Sequence, residues 1–150
     1  MATQAISSPP LTAAVNRLVT FAHVGDVEAS LAFYALLGFA PERVLKDGHG
    51  HSFWALARSG NAEIMFARAS GPVDPEQQAV LFYMYSTDVA ALRRHLLGNG
   101  VADGNASNAA KGPNNGQRVV FEVARPHYMP AGELRLADPD GYVILVGQLD

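Results

Sequence analysis

Strand-like and helix-like hydrophobic periods alternate along this chain in an order that occurs twice. Residues 17–24, RLVTFAHV, are rich in strand formers and stop at Gly25-Asp26, where Asp26 is suited to cap a helix. In the following DVEASLAFYALLG, Val27, Leu31, Tyr34 and Leu37 recur at spacings of four, three and three, which predicts one apolar helical face. Gly38 offers a C-terminal stop. Three strand-like segments follow, near 41–46, 51–58 and 62–67, divided by the turn signals Asp47-Gly48 and Ser59-Gly60-Asn61. A linker at 70–75, rich in Gly and Pro, ends this series. The order then restarts with a strand at 80–86, and with Asp88 capping DVAALRRHLLGNG, whose Val89, Leu92 and Leu96 share a face. The polar stretch 102–116 predicts a loop, with its role as a lid left open. Strands are expected again at 117–124, 133–137 and 142–147. The last two are joined by Asp138-Pro139-Asp140-Gly141, which suits a type I turn.

One strand, one helix and three strands, met twice, predict an internal duplication. The expected organisation is a tail at 1–15 and a single domain at 16–150, with modules at about 17–70 and 79–148. Alternation splits each strand into two faces, and both are largely apolar: Val19, Phe21 and His23 against Leu18, Thr20, Ala22 and Val24 in the first strand. Helices therefore cover one side of the sheet while the other side encloses something or meets another sheet or subunit. The fold class is α+β: two βαβββ modules forming a curved mixed sheet around a cleft, with the helices outside.

Composition narrows the function. The 11 basic and 14 acidic residues give a charge of −3 without any Lys/Arg run, which argues against a nucleic-acid partner. No apolar run approaches the ~20 residues of a membrane span and no signal peptide is evident, so no membrane partner and a cytoplasmic location are expected. Without cysteine there is neither a disulfide nor a thiol nucleophile. Gly-rich phosphate loops and nucleophile elbows are also lacking in the sequence.

The segment FAHVGDVEASLAFYALLGF (21–39) resembles the opening module of the glyoxalase, bleomycin resistance protein and dioxygenase superfamily, also called vicinal oxygen chelate proteins. GELRLADPDGYVILVGQ (132–148) is similar to its closing hairpin. The resemblance covers about 17–148 and implies paired βαβββ modules with a ligand or metal site inside. It does not name a reaction, because this fold carries several. In metal-using relatives the ligands are His, Gln or Glu, and the resemblance puts Val19, Met65, Phe82 and Leu145 at those four places. None of these offers nitrogen or oxygen to a divalent ion, so no metal and no cofactor are expected.

Candidate ligand-binding residues are Phe21, His23, Trp54, Glu63, Met65, Phe82, Met84, Tyr128, Arg135 and Leu145. His23 and Glu63 are the polar members of an apolar face and are expected to pair, to anchor a ligand or to hold a displaced metal; the plainer alternatives are a loop-capping histidine and a wetted carboxylate. Trp54 would wall a pocket or fill the core. Phe21, Met65, Phe82 and Met84 would line the pocket or pack the core, and Tyr128 would close over it. Arg135 pairs with Glu133 or meets an anion. The other histidines, His49, His51, His95 and His127, lie at turns or polar faces.

The leading functional expectation is a metal-free, bleomycin-resistance-like homodimer that sequesters a small apolar or aromatic ligand. The enzymatic alternative is a glyoxalase- or dioxygenase-like lyase or isomerase using a displaced metal or His23/Glu63 as an acid–base pair. A third is a structural dimer whose cleft is filled by its own side chains.

Overall fold

The computed structural model describes residues 12–104 and 119–150. The expected tail and the segment 102–116 therefore lie mostly outside the described residues. The first module runs β1 (Thr20–Val24), α1 (Val27–Ala35), β2 (Ala40–Lys46), β3 (Ser52–Ser59) and β4 (Ala62–Arg68), with sheet order β1-β4-β3-β2. β1 is parallel to β4, and the other pairs are antiparallel. The second module runs β5 (Leu81–Ser86), α2 (Val89–Gly98), β6 (Ala102–Asp103), β7 (Val119–Val120), β8 (Glu133–Ala137) and β9 (Val143–Gln148), in the order β5-β9-β8-β7-β6. Again the first strand is parallel to the last. These are the mixed sheets and outer helices of the expected α+β class, and the strands close no barrel.

Both predicted caps are present. Asp26 accepts the Ala29 N–H at 3.1 Å and Asp88 accepts the Ala91 N–H at 2.9 Å, each satisfying a donor that the first helical turn leaves free. The buried face of α1 differs from the expected stripe: Val27, Ser30, Phe33 and Tyr34 are buried, while Leu31 and Leu37 are only half-buried. The buried face is thus offset from the expected stripe and has the small Ser30 within it. Two strand boundaries also differ. Ala102 and Asp103, expected in a loop, pair with Val119 and Val120. The strand expected through residue 124 ends at Val120, and beyond it the chain stays on β8 through the Phe121 N–H, which donates to the Arg135 carbonyl at 2.9 Å, and the Ala124–Glu133 bridge.

Each sheet buries one side against its helix. Ala22, Val24, Ala55, Ala57, Ile64 and Phe66 do so in the first module, and Phe82, Leu134, Leu136, Ile144 and Val146 in the second. Between the two sheets no strand ladder forms among the described residues. What joins them is the turn 138–141. Asp138, fully buried, accepts the Tyr34 hydroxyl of α1 at 2.9 Å and the N–H groups of Asp140 and Tyr142 at 2.9 Å each. Asp140 accepts the Gly25 N–H at 2.8 Å, and the Tyr142 hydroxyl donates to the His23 carbonyl at 2.9 Å. Gly141 has φ +83°, and a Cβ there would stand 2.6 Å from the Pro75 Cα, so the turn fits only with glycine at this position.

Burial pushes the Asp138 carboxyl up to about 6, against its hydrogen bonds, and burial together with Asp138 drives the Tyr34 hydroxyl well above its ordinary value. Asp138→Ala should destabilise the fold by about 2–4 kcal/mol, because it leaves a buried hydroxyl and two amides without their acceptor. Folding raises this carboxyl, so its contribution is fully present below about pH 4 and is lost as the pH rises through about 6. Urea unfolding at about pH 4.5 and about pH 7.5 should show Asp138→Asn gaining on the unsubstituted protein at the higher pH, by roughly 1–3 kcal/mol.

Candidate functional site

Opposite its helix, each sheet carries an open side. On the first sheet Phe21 and His23 of β1, Glu63 and Met65 of β4, and Trp54 and Leu56 of β3 share this side, with Met65 paired to Phe21 on one flank and Leu56 on the other. On the second, Leu81, Tyr83 and Tyr85 of β5 stand beside Val143 and Leu145 of β9 and Arg135 and Glu133 of β8. Large apolar surface is exposed here: Phe21 is 54%, Leu81 58% and Tyr85 60% accessible. Such contiguous patches mark binding or association surfaces.

The candidate residues divide accordingly. Phe21, His23, Trp54, Glu63 and Met65 lie on the first open side, Arg135 and Leu145 on the second. Phe82 and Met84 do not join Leu145: they pair with Ile144 and Val146 and belong to the helix side of β5. A side-chain period of two makes this a one-residue difference in register, and it substitutes Tyr83 at the place assigned to Phe82. Phe82 stacks on Tyr142 at 5.2 Å and, with Met84, reaches a cleft of about 590 Å³ between the modules, lined also by Phe21, Glu63 and Tyr83.

His23 and Glu63 are not paired with each other. The partner of His23 across the β1–β4 ladder is Ala67, at the far end of β4 from Glu63, and the His23 ring meets Phe21 edge-on at 5.5 Å. Glu63 is held by two arginines: it accepts from Arg17 Nε at 3.1 Å and from Arg17 Nη2, and from Arg58 Nη2 at 3.2 Å. The Arg17 hydrogen bond holds this carboxyl below the usual carboxylate range. Glu63 is thus a fixed anion and a poor proton donor.

Nor do Glu133 and Arg135 pair. The Arg135 guanidinium lies 5.6 Å from the centre of the Phe121 ring. Glu133 is buried and accepts hydroxyls from Tyr83 at 2.7 Å and Tyr128 at 2.9 Å, so Tyr128 folds over β8 as a strap. Hydrogen bonding to Glu133 pushes the Tyr83 hydroxyl up to about 12 and raises that of Tyr128. Leu81, Tyr83, Tyr85 and Glu133 are absent from the sequence-derived site. The alternation in residues 80–86 separates the two faces correctly, and two tyrosines on one of them were the available sign of a half-wet surface.

Among the described residues no three His, Asp or Glu side chains gather as a metal would require. Val19, Met65, Leu145 and the Tyr83 that replaces Phe82 in register supply no such set. No helix among the described residues is long and apolar enough to cross a membrane.

Paired modules, βαβββ in the first and with one more short strand in the second, each with its first and last strands parallel and its open side apolar, define a vicinal oxygen chelate architecture. The Glyoxalase/Bleomycin resistance protein/Dioxygenase superfamily matches residues 15–146, and the chain belongs to this superfamily. Among solved structures, a bleomycin-binding protein complexed with bleomycin is similar at 19% identity, covering 91% of this chain and 100% of that one, with a TM-score of 0.67. The bleomycin-binding protein from bleomycin-producing Streptomyces verticillus, complexed with copper(II)-bleomycin, has 19% identity, coverage of 91% and 100%, and a TM-score of 0.64. TnmS3, an antibiotic binding protein from Streptomyces sp. CB03234, has 22% identity, coverage of 93% and 100%, and a TM-score of 0.54. A sequence search against curated proteins finds no significant match.

The Arg17–Glu63 contact sets the charge of the first open side. Arg17→Ala should move the Glu63 carboxyl up toward its ordinary value in a carboxyl-carbon NMR titration. Because that carboxyl is depressed in the folded state, the stability it contributes is present above the ordinary carboxylate range and is lost as the pH falls through the lowered value. An unchanged titration would mean that Arg17 does not bind Glu63 in solution.

Proposed function

We propose that this protein sequesters a small, largely apolar or aromatic molecule between open sheet faces, without a metal, as a homodimer. The carrying observation is that four large exposed apolar or aromatic side chains, Phe21, Leu81, Tyr83 and Tyr85, lie on the sheet sides opposite the helices. Removing such surface from water yields roughly 25 cal/mol per Å², enough for a ligand that covers one face to bind usefully. Within one chain both faces stay open, and a second copy supplies the apolar cover that each lacks. Phe21, Trp54 and Met65 would grip one side of the ligand, and Leu145, Tyr85 and Arg135 the other. The bleomycin- and antibiotic-binding proteins of the same fold support a binding role. An acid–base reaction through His23 and Glu63 fits poorly, since Glu63 is fixed between Arg17 and Arg58 and lies apart from His23.

Trp54 is the sole tryptophan and sits half-buried on the open side, so its emission reports occupancy. Planar aromatic ligands should quench it saturably, and Leu145→Glu, which sets a charge on the apolar face, should weaken binding by about tenfold or more. Light scattering after gel filtration should give the mass of two chains. Elemental analysis after incubation with Ni²⁺, Zn²⁺, Mn²⁺ and Fe²⁺ should find less than about a tenth of an equivalent of metal. Stoichiometric metal would overturn the metal-free reading.

A further inference from the structure

Glu133 is the unusual group on the second open side. It is 7% exposed, and both of its oxygens are held by phenols rather than by a cation. Among the described residues no Lys, Arg or His pairs with it: Arg135, two residues along the same strand, turns instead to the Phe121 ring. A carboxylate removed from water without a counter-ion is costly, and two neutral hydroxyl donors offset only part of that cost.

Around this carboxylate the chain builds an aromatic wall. The Tyr83 and Tyr85 rings lie 5.3 Å apart, and Tyr128 arrives from the strap before β8 to place its hydroxyl on the same carboxylate. The strap is itself tied down by Arg125, whose Nη1 donates to the Pro130 and Ala131 carbonyls at 3.1 Å each. Glycine at 147, the cross-strand partner of Glu133, leaves the room that this cluster occupies. A Cβ there would stand 3.0 Å from the Tyr83 hydroxyl and 2.7 Å from the Met129 methyl. Tyr83, Tyr85 and Tyr128 remain 42%, 60% and 59% exposed, so their ring faces are open to a ligand while the carboxylate beneath is shielded.

We infer that Glu133 with Tyr83, Tyr85 and Tyr128 is a subsite for an organic cation, an alkylated or protonated amine carried by the aromatic ligand. The chemistry is complementary: a desolvated ammonium is attracted by ring faces within about 6 Å and by an anion behind them, whereas an anionic ligand is repelled. This rests on the open-side binding reading above and adds to it the charge of the ligand. It also gives the two carboxylates different tasks: Glu63 is neutralised by arginines of the chain, and Glu133 awaits a charge from outside.

The test uses two probes of equal shape, phenyltrimethylammonium and its neutral isostere tert-butylbenzene, with binding followed by Trp54 emission and by ligand NMR. The cation should bind about tenfold or more tightly than the neutral probe. Glu133→Gln should remove most of that preference while leaving the neutral probe within about twofold. Tyr85→Leu, at an exposed position that tolerates substitution, should cost the cation several-fold and the neutral probe little; it keeps the test intact should Glu133→Gln fail to fold. Equal affinities for the two probes, or a preference that survives both substitutions, would overturn the cation subsite and leave sequestration standing. Failure of both probes to bind would overturn both readings.

Discussion

The hydrogen bond from Tyr34 to Asp138 is the contact on which the arrangement of the two modules depends. Each module is complete in itself, with a capped helix on one side of a mixed sheet, and no strand of one pairs with a strand of the other among the described residues. Their relation is set by the turn 138–141, which reaches Gly25, Tyr34 and the His23 carbonyl. Because Asp138 is fully buried, its acceptor oxygens have no water to replace a lost partner, and the turn is correspondingly specific. The raised carboxyl value is the trace of that burial.

A consequence is the way in which the sheets present their second sides. Helices consume one side of each, and the turn holds the modules together without closing a barrel over the other. The apolar residues left there are numerous and contiguous, which is unusual for a face meant to stay in water. Into this setting the chain places two carboxylates. Glu63 sits between arginines and gives the first side a settled charge, while Glu133 is fixed by tyrosine hydroxyls on the second. The difference follows from their neighbours and not from the residues, which are the same acid.

Most of the scaffold was legible in the sequence because it rests on local chemistry. Asp26 and Asp88 announce their helices through the donors they satisfy, and Asp138-Pro139-Asp140-Gly141 announces its turn through φ preferences. Long-range geometry was less visible. The stripe Val27, Leu31, Tyr34, Leu37 is a sound helical face, yet the face of α1 that is buried runs through Ser30 and Phe33 instead of Leu31 and Leu37. Phe82 and Tyr83 are equally reasonable strand residues, and only pairing with Ile144 or Leu145 decides which faces the open side. The burial of Glu133 depends on a tyrosine fifty residues earlier and a strap just before it, a relation that no local pattern encodes. His23 and Glu63, both on the expected side, are separated by strand register alone.

The Gly25–Asp140, Tyr34–Asp138 and His23–Tyr142 contacts all issue from one short reverse turn and the residue after it, Tyr142, which itself lines the cleft and stacks on Phe82. The spacing of the modules is thus tied to that turn as well as to the surfaces that meet around the cleft. Lengthening or shortening it by a residue would shift Tyr142 and with it one wall of the cleft. The bulk that the cleft accommodates and the chemistry of its wall are thus coupled through Tyr142.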